Sequence, residues 1–159
     1  MCLNGSTSMT LGLYIFDCII VLIDNRFLDS DLAILRACER FSNVEAFIVR
    51  SKSDQHINTM ACDRMLSNFD LGDPDIDDET RARFQQMKSE ARKRFIEETR
   101  QNVQTNLESK NLSPKKVHII CKDALLAALS NSPSSKAIDE AELLNDVGEC
   151  VRRRLRSEY

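Results

Sequence analysis

Two short stretches combine residue types that can read a heterocyclic base. Ser51-Lys52-Ser53-Asp54 follows the apolar run at 46–49, and Cys121-Lys122-Asp123 closes a run that begins at Val117. A guanine ring presents two neighbouring donors, its N1–H and its exocyclic amine, and one carboxylate can accept both. Asp54 is the carboxylate placed for that task. Adenine lacks the donor pair, so it would leave a buried carboxylate unsatisfied, at a cost of about 1–3 kcal/mol or more. The long apolar stems of Lys52 and Lys122 can flank the two faces of the ring while their ammonium groups stay hydrated or paired. The plainer reading of the same four residues is a surface turn.

Such a site requires the two stretches to leave the same edge of one sheet. The run Cys18–Ile23, "CIIVLI", is apolar throughout and rich in β-branched residues, as in a strand buried on both faces. Runs at 46–49, "AFIV", and 117–121, "VHIIC", repeat that character. Between them lie helical patterns. Leu32, Leu35, Cys38 and Phe41 recur at helical spacing behind a cap at Asp29 or Ser30. A long helix is expected over about 80–107, with Phe84, Met87, Ala91, Phe95, Val103 and Leu107 as its apolar stripe. "KDALLAAL" forms a short helix, and a last one carries Ile138, Ala141, Leu144, Val147, Val151 and Leu155 on one face. After "SKSDQHI" the chain reads as irregular and acidic. The alternation predicts an α/β fold, a three-stranded parallel sheet with flanking helices and right-handed crossovers. In such a sheet ligands bind beyond the carboxyl ends of the strands.

Composition narrows the function. A formal net charge of −3 argues against binding nucleic acid through overall charge. None of the six cysteines, Cys2, Cys18, Cys38, Cys62, Cys121 and Cys150, forms a Cys-x-x-Cys pair, and His56 and His118 are the only histidines, so zinc ligation is not expected and the thiols read as reduced and structural. The acidic stretch 70–79 lacks the glycine and glutamate spacing of a calcium loop and reads as solvated, its last acids favouring the next helix's positive end. Asp24 reads as a loop residue rather than a metal ligand. The apolar run at 11–23 is broken by Asp17 and too short for a span of ~20 residues, and no leader or myristoylation signal stands out, so a cytoplasmic location is expected. The basic run at 152–156, "RRRLR", reads as cations complementing a helix C-terminus, with contact to anionic lipid as the alternative. Residues 1–12 read as a disordered start, and 131–159 as a linker and C-terminal helix. No nucleophile, base and orienting group can be assembled, so no catalytic residue is named.

Ser51-Lys52-Ser53-Asp54 resembles the Asn/Thr-Lys-x-Asp guanine-specificity motif of the P-loop GTPases, and Cys121-Lys122-Asp123 is similar to their closing Ser-Ala-Lys-type motif. The wider text, "FDCIIVLIDNRFLDSDLAIL", "RACERFSNVEAFIVRSKSDQHI", "VHIICKDALL" and "AIDEAELLNDV", resembles the immunity-related GTPases, especially the fungal-type members, over about residues 14–147. The resemblance implies GTP or GDP as ligand and GTP hydrolysis as the family activity. Carried over residue by residue, Asp54 holds the guanine edge, Lys52 braces the base, Lys122 covers the ring and the Cys121 backbone amide approaches guanine O6. Ser51 replaces the commoner asparagine or threonine and keeps a hydroxyl.

The departure from that family is large. A phosphate cradle needs Gly-x-x-x-x-Gly-Lys-Ser/Thr, and the four glycines here are Gly5, Gly12, Gly72 and Gly148. Asp70-Leu71-Gly72 is one residue short of the γ-phosphate-sensing Asp-x-x-Gly. The resemblance therefore implies a partial G domain at 13–130, the second, base-reading half of a P-loop GTPase-like fold. Nucleotide binding would be weak or lost, and Mg²⁺ would belong to the phosphate-binding half. A strand without its central neighbour invites self-association through an exposed sheet edge. Membrane contact, with a location peripheral to intracellular membranes, follows from the family alone. The alternative is a nucleotide-free interaction module using the long helix or the strand edge.

Overall fold

The computed structural model describes residues 16–24, 26–40, 44–65 and 76–157. Three strands, β1 (Cys18–Ile23), β2 (Glu45–Arg50) and β3 (Val117–Ile119), pair in parallel in the order β1-β2-β3. The α/β class and the parallel sheet with flanking helices are as expected. The register sets Ile20 beside Phe47, and Arg50 beside both Ile23 and Ile119, so the carboxyl ends of all three strands share one edge.

Side chains alternate across the sheet and divide the core between two faces. Val21, Ile23, Ala46, Ile48 and Val117 point to one face, where α1 (Asp29–Arg40) contributes Leu32, Leu35 and Cys38, and α3 (Asp78–Ser109) contributes Val103 and Leu107. The amino-terminal half of α3 continues beyond the sheet and packs Phe84, Ala91 and Phe95 against Ile57 and Ala61 of α2 (Ser53–Cys62). Phe47, Val49 and Ile120 point to the other face, under Leu143 and Cys150 of α5 (Glu140–Ser157). The short α4 (Lys122–Leu129) follows β3 directly. The stripe expected on α3 is buried core, so that helix carries no free apolar groove along it. Asp77 caps α3 by accepting from Thr80 N–H at 2.8 Å, the role expected of the last acids of the loop. Residues 1–12, Phe41, and 66–75 of the acidic stretch lie outside the described residues.

Several expectations are corrected. Residues 53–62, where an irregular segment is expected to begin after "SKSDQHI", are helical through Cys62, because α2 buries Ser53, Ile57 and Ala61. Leu28 precedes α1, and the capping contact is Asp31 Oδ2 accepting from Leu28 N–H at 2.8 Å, with Asp29 already in the helix. On α5 the buried line runs through Leu143 and Cys150, while Ala141 and Leu155 are exposed. Ile138 stands before the helix and packs with the α2–α3 cluster. The rotation of α5 follows from its anchor. Ile119 and Cys121 turn their N–H groups away from β2, and the buried carboxylates at the start of α5 accept them. Asp139 Oδ2 accepts from Ile119 N–H at 2.9 Å and Glu140 Oε1 from Cys121 N–H at 2.9 Å. Asp139 N–H donates to Ile119 O at 3.1 Å, Glu140 Oε2 accepts from Ile138 N–H at 2.6 Å, and Arg100 on α3 pairs with Asp139 at 3.0 Å. Residues 131–139 are thus no loose linker. Arg92 donates to Ser135 O at 3.0 Å and to Ala137 O, which holds the segment against α3.

The basic run at 152–156 is engaged within the chain. Arg152 pairs with Glu149 at 2.8 Å, Arg153 with Glu45 at 2.7 Å and Arg154 with Asp17 at 3.1 Å, tying the end of α5 to the starts of β1 and β2. Exposed pairs of this kind contribute about 0–1 kcal/mol each. Among the described residues no helix is long and apolar enough to cross a membrane, and no group of three metal-ligating side chains is gathered. Cys38, Cys121 and Cys150 are buried, and burial pushes their thiols up, that of Cys150 to about 11, which suits a structural role.

Replacing Glu140 with alanine leaves the buried Cys121 N–H and the part-buried Ile138 N–H unpaired and is expected to lower stability by about 2–3 kcal/mol in urea unfolding, with Glu140→Gln retaining part of it; an unchanged midpoint for the alanine variant would refute the anchor. A pH dependence follows from His118 on β3. Burial pushes its imidazole below the ordinary value, outweighing the opposing pull of Asp146. The unfolded chain takes up this proton near pH 6.5, whereas the folded chain resists it. Stability is therefore expected to be full above about 6.5 and to fall as the pH drops below it, and His118→Leu should flatten that part of the urea-midpoint profile.

Candidate functional site

The backbone that joins the two motif stretches is built at the carboxyl edge of β2 and β3. Ile120 N–H donates to Arg50 O at 2.9 Å, which extends the ladder one residue past β3. Ser53 N–H then donates back to Ile120 O at 3.1 Å. Between these bonds the chain reverses at Lys52, whose φ of 59° and ψ of 30° lie in the left-handed region. A side chain there costs about 1–2 kcal/mol of backbone strain. The reversal places Asp54 in the first turn of α2, so the residues beyond both strand ends form one clasped surface. The expected meeting of Ser51–Asp54 with Cys121–Asp123 is what the fold produces.

Each expected residue has a definite place. Ser51 is half-buried just past β2, and Lys52 and Lys122 are exposed. The Asp54 side chain is 25% exposed, and its Oδ2 lies 3.7 Å from Lys136 Nζ. The same ammonium sits 2.6 Å from Asp123 Oδ2. Lys136 holds the Asp123 carboxyl below the ordinary carboxylate range, and Asp123 in turn raises the Lys136 ammonium. Lys136 comes from the segment that the Asp139–Glu140 anchor fixes, and spacing along the sequence gave no sign of it. Its contact to Asp54 is long for a hydrogen bond, so the ammonium is bound chiefly to Asp123 and shields Asp54 electrostatically.

One implied contact meets a different arrangement. The Cys121 N–H, which the resemblance aims at guanine O6, is buried and donates to Glu140. That donor closes the sheet edge and does not face a ligand. Cys121 itself is fully buried. Beside it the Ser53 hydroxyl is buried without a hydrogen-bond partner among the described residues. Sequence reasoning passed over Ser53 because the motif leaves that position open. Asp24, expected as a loop residue, stands past the end of β1 with Oδ1 3.4 Å from Arg50 and 3.3 Å from His56.

The surface can therefore offer a half-buried carboxylate, two exposed lysine stems and one shielding ammonium. Of the two Asp54 oxygens, Oδ2 is the one that lies beside Lys136. No protein-family model, curated protein or solved structure matches the chain.

Proposed function

We propose that the chain is a guanine-nucleotide-binding remnant or fragment of an immunity-related-type GTPase, the base-reading half of its G domain. The observation that supports this reading is the clasp between the Ser51–Asp54 and Cys121–Asp123 stretches, which brings Asp54 and the exposed Lys52 and Lys122 to the carboxyl edge of a parallel sheet. Asp54 accepts the guanine N1–H and amine, and the lysine stems cover the ring. GTP or GDP binds weakly, because phosphate and Mg²⁺ contacts supply much of the affinity in a complete G domain and this sequence carries no phosphate cradle. Hydrolysis of GTP belongs to the family and is not assigned to this chain.

Xanthine carries a carbonyl where guanine carries the amine, so an asparagine amide at position 54 matches xanthine as a carboxylate matches guanine. Titration of fluorescent nucleotides should show guanosine diphosphate binding more weakly than micromolar yet ahead of the adenosine form. Asp54→Asn should exchange that preference for xanthosine diphosphate. Lys136→Ala, by unshielding Asp54, should tighten guanosine binding by roughly three- to tenfold, or about 0.7–1.4 kcal/mol. Equal binding of guanine and adenine nucleotides, unmoved by Asp54→Asn, would sink the reading.

A second reading has its own observation. Among the described residues β1 is an edge strand, and on the α5 face of the sheet it leaves Ile20 48% and Leu22 62% exposed, beyond the part that α5 covers. An apolar edge of this kind pairs readily with another chain, here a second copy through β1. On this reading the protein is a nucleotide-free interaction module. Sedimentation equilibrium should then show a dimer that Leu22→Lys converts to monomer; a monomeric wild-type chain at all accessible concentrations would dismiss it.

A further inference from the structure

The carboxyl ends of β1 and β2 enclose a cavity that the base-reading residues do not line. It measures about 320 Å³, at the lower end of the ~300–1,000 Å³ usual for small-molecule sites. Ile23, Phe27, Met60, Phe95 and Val103 supply its apolar wall. Arg50 enters from the end of β2 with its side chain only 6% exposed. Its guanidinium lies 5.6 Å from the centre of the Phe95 ring and 3.2 Å from His56 Nε2. His56 stacks on the same ring, with centroids 5.6 Å apart and planes 14° from parallel.

A guanidinium is a planar fork that meets a carboxylate best through two parallel bonds. Asp24 meets it with Oδ1 at 3.4 Å, from a side chain 64% exposed. His56 Nε2 stands 3.3 Å from that same oxygen. In the neutral ring Nε2 either accepts from Arg50 or donates to Asp24, and it cannot do both in one tautomer. Asp24 is therefore a loosely held carboxylate with a short path to water. Arg50 has been desolvated at a cost, and burial lowers its pKa against the pull of Asp24. Arg26 and Arg50 are the cations of the lining and Asp24 and Glu98 its carboxylates, Glu98 being paired with Arg94 at 2.5 Å.

We propose that this cavity binds a small organic carboxylate with a planar or branched apolar body, which replaces Asp24 on Arg50 and rests against the Phe95 side of the cavity. A carboxylate exchanges one monoanion for another. A phosphate ester would bring a second negative charge towards Glu98. The site is independent of the guanine reading, since Ser51, Lys52, Asp54, Cys121 and Lys122 all lie outside it.

The test is an NMR titration of the full chain with benzoate, following the His56 and Phe95 ring signals, with benzamide and phenyl phosphate as comparators. Benzoate should give saturable shifts, benzamide none, and phenyl phosphate weaker binding than benzoate. Asp24→Asn, which keeps the shape of the side chain and removes its charge, should tighten benzoate binding by roughly three- to tenfold, because the internal competitor is gone. Arg50→Gln should abolish it. Absence of saturable benzoate shifts, equal binding of benzamide, or an Asp24→Asn variant no tighter than wild type would each overturn the proposal. Tighter binding of phenyl phosphate would overturn the assignment to carboxylates.

Discussion

A three-stranded parallel sheet has two open edges, and in this protein one of them is closed by carboxylates in place of a strand. Ile119 and Cys121 direct their N–H groups away from β2, where a fourth strand would ordinarily accept them. Asp139 and Glu140 accept them instead, both side chains buried, with Arg100 and the Ile138 N–H completing their partners. A buried carboxylate without such partners would cost several kcal/mol. The anchor therefore has a single workable arrangement, and much else follows from it. It sets the rotation of α5, draws residues 134–137 against Arg92 of α3, and carries Lys136 to the aspartates at the carboxyl edge.

The opposite edge is treated differently. Among the described residues β1 has no partner beyond β2, and Ile20 and Leu22 stay exposed. The ion pairs of Arg153 with Glu45 and Arg154 with Asp17 tie α5 across the strand starts without covering that surface. Among the described residues the sheet thus has one edge sealed by carboxylates and one flanked by exposed apolar side chains.

The two candidate sites sit on one sheet edge but rely on different physics. Around Asp54 the chemistry is exposed and screened, and an internal lysine competes for the carboxylate. Around Arg50 a cation is buried against an aromatic ring, and an internal carboxylate competes for the guanidinium. In each case a charged side chain of the protein is already paired within the chain.

Much of this was legible in the residues themselves. β-Branched apolar runs marked the three strands, although β1, expected to be buried on both faces, leaves Ile20 and Leu22 exposed on one of them because α5 covers only part of that face. Helical spacing marked α1 and α3, whereas the order β1-β2-β3 came only with the structure. The short α2 was missed because it buries only Ser53, Ile57 and Ala61 among residues that favour turns. The sequence alone determined that Ser51–Asp54 and Cys121–Asp123 leave parallel strands, since that is a matter of local pattern and topology. Only the tertiary structure decided that Lys136 shields Asp54, that the Cys121 N–H serves Glu140, and that Asp24, Arg50 and His56 converge. Those outcomes join residues up to 82 positions apart, Asp54 to Lys136. No periodicity records them, because a hydrogen bond depends on where two segments arrive after packing and not on the spacing within either.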